Sequence, residues 1–217
     1  RPGEIGQLEL ADLRQINGAV VRMLSMVRES CELARRSLIG QDVAAAEQCA
    51  RADDEIDKIQ ATLEMRILTV IARRQPAASD LRFLGAALQA LADIERAGDY
   101  AEHVAEAGVR LAAEPRLKKY LDLERIFEVL ADMIDTTAKA IAEADVAAAR
   151  RAHAMDNEID DLYDQIQREL LTYMLADTAS IGRATELAAV ARFLERLGDH
   201  IENVNEHTIF WLEGKRL

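Results

Sequence analysis

One twelve-residue pattern, ERxGDxxExVxE, occurs twice in this chain, at Glu95–Glu106 and at Glu195–Glu206, 100 positions apart. On a helix, its spacings of four, three and four put Glu95, Asp99, Glu102 and Glu106 along one edge, and likewise Glu195, Asp199, Glu202 and Glu206. Like charges at i,i+4 repel by a few tenths of a kcal/mol per pair. Two identical acidic rows therefore call for positive charge between them, and metal ions are the natural candidates.

The pattern also implies a duplicated, all-helical chain. Three prolines, ten glycines and abundant Ala, Leu, Glu and Arg favour helices over sheet. The segment Asp42-Val-Ala-Ala-Ala returns as Asp145-Val-Ala-Ala-Ala, and Asp53-Asp-Glu-Ile-Asp57 returns as Asp156-Asn-Glu-Ile-Asp160, both at an offset of 103. The expected architecture is two homologous three-helix bundles of antiparallel helices, residues 1–113 and 114–217, with a linker near Gly108 to Pro115.

Helix one is expected from about Ile5 to Ile39, with a kink at Asn17-Gly18, and helix two from Asp42 as N-cap to about Arg74. Pro76 marks a turn before helix three. Helix four is expected from about Leu117 to Ala144, helix five through Ile159 to Tyr173, and helix six after a cap at Asp177-Thr178. The terminal Ile209-Phe-Trp-Leu212 is expected to pack on the bundle, with a docking patch as the alternative.

The hairpins bring the acids together in depth. Asp57 and Glu95 are symmetrical about residue 76, as are Asp53 and Asp99; Asp160 with Glu195, and Asp156 with Asp199, are symmetrical about the Asp177–Thr178 bond. Both arms of a hairpin rise about 1.5 Å per residue, so each pair lies level. Asp57, Glu95, Asp160 and Glu195 also each follow a core residue (Ile56, Ile94, Ile159, Leu194) and so occupy the same flank. Two clusters of four carboxylates result, and such clusters must share protons, attract arginines or bind hard cations. The competing reading is a solvated flank neutralised by Arg96 and Arg196.

Other function classes fare worse. A formal charge of −12 argues against nucleic acid. No uncharged run approaches the roughly 18 residues of a membrane span, and Arg1-Pro-Gly-Glu has no leader pattern, so a cytoplasmic chain is expected. Cys31 and Cys49 lack zinc spacing and read as buried free thiols. There is no Glu-x-x-His, HExxH, P-loop, GxGxxG or nucleophile motif, and His103, whose counterpart is Asn203, reads as a surface histidine. An enzyme is not expected, although a carboxylate-bridged metal store or metalloenzyme is the alternative.

The segments Ile71-Ala-Arg-Arg-Gln-Pro76-Ala-Ala-Ser-Asp80-Leu-Arg82, Asp93-Ile-Glu-Arg-Ala-Gly-Asp99 and Arg192-Phe-Leu-Glu-Arg-Leu-Gly-Asp199-His closely resemble the PhoU family of bacterial phosphate-uptake regulators, across essentially the whole chain. The family's E/DxxxD motifs fall on Asp53 and Asp57, Glu95 and Asp99, Asp156 and Asp160, and Glu195 and Asp199. The resemblance implies a multinuclear metal cluster, iron first, with manganese, zinc, magnesium or calcium as alternatives. It further implies self-association as a homodimer. The implied partners are the ATPase subunit of a phosphate ABC transporter and a sensor histidine kinase, and the implied role is restraint of uptake and of the phosphate-starvation regulon. Ala97 stands where the family usually has a larger aliphatic residue, and Asn157 stands opposite Asp54, so metal occupancy need not match between halves.

Overall fold

The computed structural model describes residues 10–215, which form six α-helices and no strand. These are α1 (Leu10–Leu38), α2 (Val43–Arg74), α3 (Ala78–Ala112), α4 (Leu121–Glu143), α5 (Val146–Ala176) and α6 (Ile181–Glu213). The duplicated starts behave alike: Asp42 Oδ1 accepts from the Ala45 amide at 3.2 Å and Asp145 Oδ1 from the Ala148 amide at 3.0 Å, each satisfying an otherwise unpaired first-turn donor. Gln75 adopts a left-handed conformation, φ 45°, and with Pro76 turns the chain into α3. Asp177 caps a short 3₁₀ turn, Thr178–Ser180, that leads into α6.

Three boundaries differ from the sequence reading. The α1 helix runs unbroken through Asn17-Gly18, where Asn17 donates to the Ile141 carbonyl of α4 at 3.0 Å; the Asn-Gly pair serves a contact between helices rather than a kink. The α3 helix continues to Ala112, because Ala105, Ala107, Gly108 and Leu111 are buried, and packing outweighs the weak helix propensity of glycine. The linker is therefore shifted to residues 113–120, and α4 begins at Leu121.

The two repeats pack antiparallel. Along α1 and α4, Asn17 meets Ile141, Arg28 meets Asp135 and Arg35 meets Glu124. Along α3 and α6, Phe83 meets Trp211, Asp93 meets His200 and Arg110 meets Glu186. Equivalent helices thus cross a pseudo-two-fold axis perpendicular to the bundle. One continuous core runs through both repeats, with Ile16, Leu24, Ile56, Leu84, Ile94, Ile126, Leu130, Ile159, Leu194 and Ile201 among its fully buried members. Cys31 and Cys49 lie in it as free thiols, both pushed up to about 12 by burial. Ile209 is buried and Trp211 packs on Phe83 at 4.8 Å. Among the described residues, no helix is long and apolar enough to cross a membrane.

Candidate metal centre

The α2–α3 and α5–α6 hairpins each gather three aspartates. Carboxylate oxygens of Asp53, Asp57 and Asp99 all lie within 4.8 Å of one another, as do those of Asp156, Asp160 and Asp199. The glycine of each ERxGD motif makes this approach possible. A Cβ on Gly98 would lie 3.0 Å from Asp53 Oδ1, and one on Gly198 would lie 2.6 Å from Asp156 Oδ1.

Glu95 and Glu195 stand beside these groups. The Glu95 carboxyl is raised by burial, then by Asp99 and Asp57, as expected of a residue level with Asp57. Burial, Asp199 and a hydrogen bond to it push Glu195 up to about 7. All eight acids selected from the sequence therefore reach the two seams, six of them in the tight groups. Glu102 and Glu202, expected further along the row, join as well. The Asp53 carboxyl rises to about 7 through burial, Asp99, Glu102 and Asp57, while burial followed by Glu202, Asp160, Asp199 and Glu195 takes Asp156 to about 8.

Arginines neutralise little of this. Arg96 reaches Asp99 at 2.9 Å, and Arg196 approaches Asp199 at 3.6 Å and Glu195 at 3.9 Å, but both guanidinium groups are more than half exposed. One rim arginine faces five acids in each half. The decisive observation is a pair of buried oxygens: Asp53 Oδ1 and Asp156 Oδ1 have no hydrogen-bond partner, although the residues are only 8% and 3% exposed. A buried carboxylate oxygen without a donor is costly. The all-oxygen donor set at mutual distances below 5 Å fits hard cations.

The sequence reading missed two features. Asp93, on α3, accepts from His200 Nδ1 at 2.8 Å and Asn203 Nδ2 at 3.1 Å, and pairs with His207 Nε2 at 2.9 Å. These contacts hold its carboxyl well below the usual range against the opposing effect of burial. Only the antiparallel pairing of α3 with α6 brings those residues together. His153 also pairs with Glu202 at 3.2 Å and Glu206 at 3.4 Å. His103 is exposed, against Tyr100 and Phe193.

Fold and site together define a class: duplicated helical bundles that cross an internal pseudo-two-fold and carry one carboxylate cluster per repeat. The PhoU domain matches this chain twice, over residues 20–108 and 123–208. A Deinococcus radiodurans protein named as a phosphate-specific transport system accessory protein PhoU homolog is 43% identical over 206 residues, covering 95% of this chain and 97% of that one. A like-named Aquifex aeolicus protein is 37% identical, covering 94% and 92%. The crystal structure of PhoU from Pseudomonas aeruginosa superposes with a TM-score of 0.91 at 31% identity, covering 94% of this chain and 99% of that one. The chain belongs to the PhoU family.

Proposed function

We propose that this protein is a non-enzymatic, cytoplasmic regulator of phosphate uptake. It restrains a phosphate ABC transporter through the ATPase subunit and keeps the phosphate-starvation regulon off through a sensor histidine kinase. Its two acidic seams bind metal, iron first, as clusters that hold α2 against α3 and α5 against α6 and so fix the face offered to partners. The ligands are Asp53, Asp57, Glu95 and Asp99 in one half and Asp156, Asp160, Glu195 and Asp199 in the other. The repeat boundary is placed at 113/114, and the functional form is a homodimer.

The observation that supports the metal reading is the buried aspartate oxygen without a partner in each seam, Asp53 Oδ1 and Asp156 Oδ1. The regulatory reading is supported by relatives named as accessory proteins of a phosphate-specific transport system. A wholly acidic seam also suits a metal store, but those relatives favour regulation.

The test is complementation in a strain lacking its own copy, with a phosphate-starvation reporter at high phosphate. The wild-type chain is expected to silence the reporter and to co-purify with the transporter ATPase. A chain carrying Glu95→Ala and Asp99→Ala is expected to do neither. Full repression by a variant shown to be metal-free would overturn the link between cluster and regulation.

A further inference from the structure

The two seams are not chemically equal. At the position three residues before Asp53 the first half has Ala50, whereas the equivalent position before Asp156 is His153. One helical turn places His153 on the same flank of α5 as Asp156. Its Nε2 is turned to Glu202 Oε1 at 3.2 Å and Glu206 Oε1 at 3.4 Å, and the ring is partly buried.

Glu202 connects this imidazole to the cluster. Its carboxyl is raised by burial, eased by His153, and raised again by Glu206, Asp199 and Asp160, so it lies within electrostatic reach of both the ring and the aspartates. Asp156 completes the arrangement, with its partnerless Oδ1 lodged against Gly198. In the first half the imidazoles act on the acids only at longer range: His103, against the Tyr100 and Phe193 rings, eases Glu102, and His200, engaged with His207 by Asp93, eases Glu95.

Resting on the reading that the seams bind metal, we infer that His153 is a further metal ligand, making the second site a mixed nitrogen–oxygen site selective for borderline cations such as zinc(II). An imidazole favours zinc, cobalt and nickel, whereas carboxylates alone favour magnesium, calcium and manganese. The first site, oxygen-only, keeps the hard-cation preference.

The test uses the full chain stripped with chelator and titrated separately with zinc(II) and manganese(II), followed by calorimetry and elemental analysis. His153→Gln is expected to weaken zinc binding at one site by on the order of tenfold or more, leaving the other site and manganese binding unchanged. Ala50→His is expected to give the first half the same zinc preference. In the cobalt(II)-loaded chain, one strongly shifted, exchangeable imidazole N–H resonance is expected in the proton NMR spectrum and is lost in His153→Gln. If His153 is only an ion-pair partner, its removal frees Glu202 and strengthens zinc and manganese alike, without such a resonance, and the inference falls. A wild-type chain that binds no metal in either half would overturn the metal reading itself, and this inference with it. Circular dichroism of the metal-free variants separates these outcomes from misfolding.

Discussion

Asp93 and Phe193 hold equivalent places on the central helix pair, yet their surroundings have opposite characters. Asp93 gathers His200, Asn203 and His207 of α6. Phe193 lies against Tyr100 at 6.1 Å and His103 at 5.3 Å, the α3 counterparts of His200 and Asn203. Next to the pseudo-two-fold, the seam between repeats is thus polar on one side and aromatic on the other, while the carboxylate clusters keep the same aspartates. The difference shows that the duplication was held where the acids meet and released where the halves join. With Asp93 hydrogen-bonded to histidine and asparagine, and Phe193 against rings and the core, each half is shaped for its partner rather than for a second copy of itself.

Exchanging equivalent residues tests how far that divergence goes. The largest effect is expected at Gly108, whose counterpart is Thr208. A Cβ at Gly108 would lie 2.8 Å from the Leu38 amide nitrogen and 2.6 Å from Ser37 Oγ, whereas Thr208 is accommodated in α6 with its hydroxyl donating to Val204 O at 2.8 Å. Gly108→Thr is expected to cost about 3 kcal/mol in urea unfolding; the reverse change, Thr208→Gly, costs about 1 kcal/mol.

Asp93→Ala comes next. It leaves the side chains of His200, Asn203 and His207 without their shared acceptor and is expected to cost about 2 kcal/mol. Because the Asp93 carboxyl is held down in the fold, its contribution is present above the ordinary carboxylate range and is lost as pH falls through it toward the depressed value. The cost of Asp93→Ala in urea unfolding should therefore shrink below about pH 4, while that of Phe193→Ala should not change with pH.

A smaller contrast is expected between Gly198→Ala and Gly98→Ala. The new methyl meets Asp156 Oδ1 at 2.6 Å in the second half, against 3.0 Å to Asp53 Oδ1 in the first. Gly198→Ala should displace its aspartate and cost about 1 kcal/mol together with second-site metal, whereas Gly98→Ala should retain more of its metal by elemental analysis.

The acids themselves provide the smallest, graded test. Asp53, Asp156 and Glu195 are raised to about 7, 8 and 7. Their contribution to the stability of the metal-free chain is full below the ordinary carboxylate range near pH 4 and is lost as pH rises toward 7 and 8. Metal must displace the same protons, so affinity is expected to climb between pH 6 and 8, later at the Asp156 cluster. Calorimetric titrations at several pH values would show it.

Much of this was legible in the chain. Asp42 and Asp145 announced their caps through the alanines that follow, and symmetry about residue 76 placed Asp57 level with Glu95 without knowledge of the fold. The same symmetry holds for His153 and Glu202 about the Asp177–Thr178 bond, a signal present in the sequence that a search restricted to acids passes over. Asp93 was hidden for a different reason. Its partners lie on a helix of the other repeat, and the register of α3 on α6 depends on side-chain packing across the pseudo-two-fold, which no local period encodes. The continuation of α3 to Ala112 depended likewise on Ser37 and Leu38 closing over Gly108.

The central claim is that each hairpin binds metal through its own aspartates. The most direct measurement is elemental mass spectrometry on untagged protein, comparing the wild-type chain with Glu95→Ala/Asp99→Ala and with Glu195→Ala/Asp199→Ala. Several metal equivalents per chain, lost half by half in the two variants, are expected. A folded wild-type chain that carries no metal and is indifferent to chelator would contradict the account and leave the acids as a flank held by protons and rim arginines.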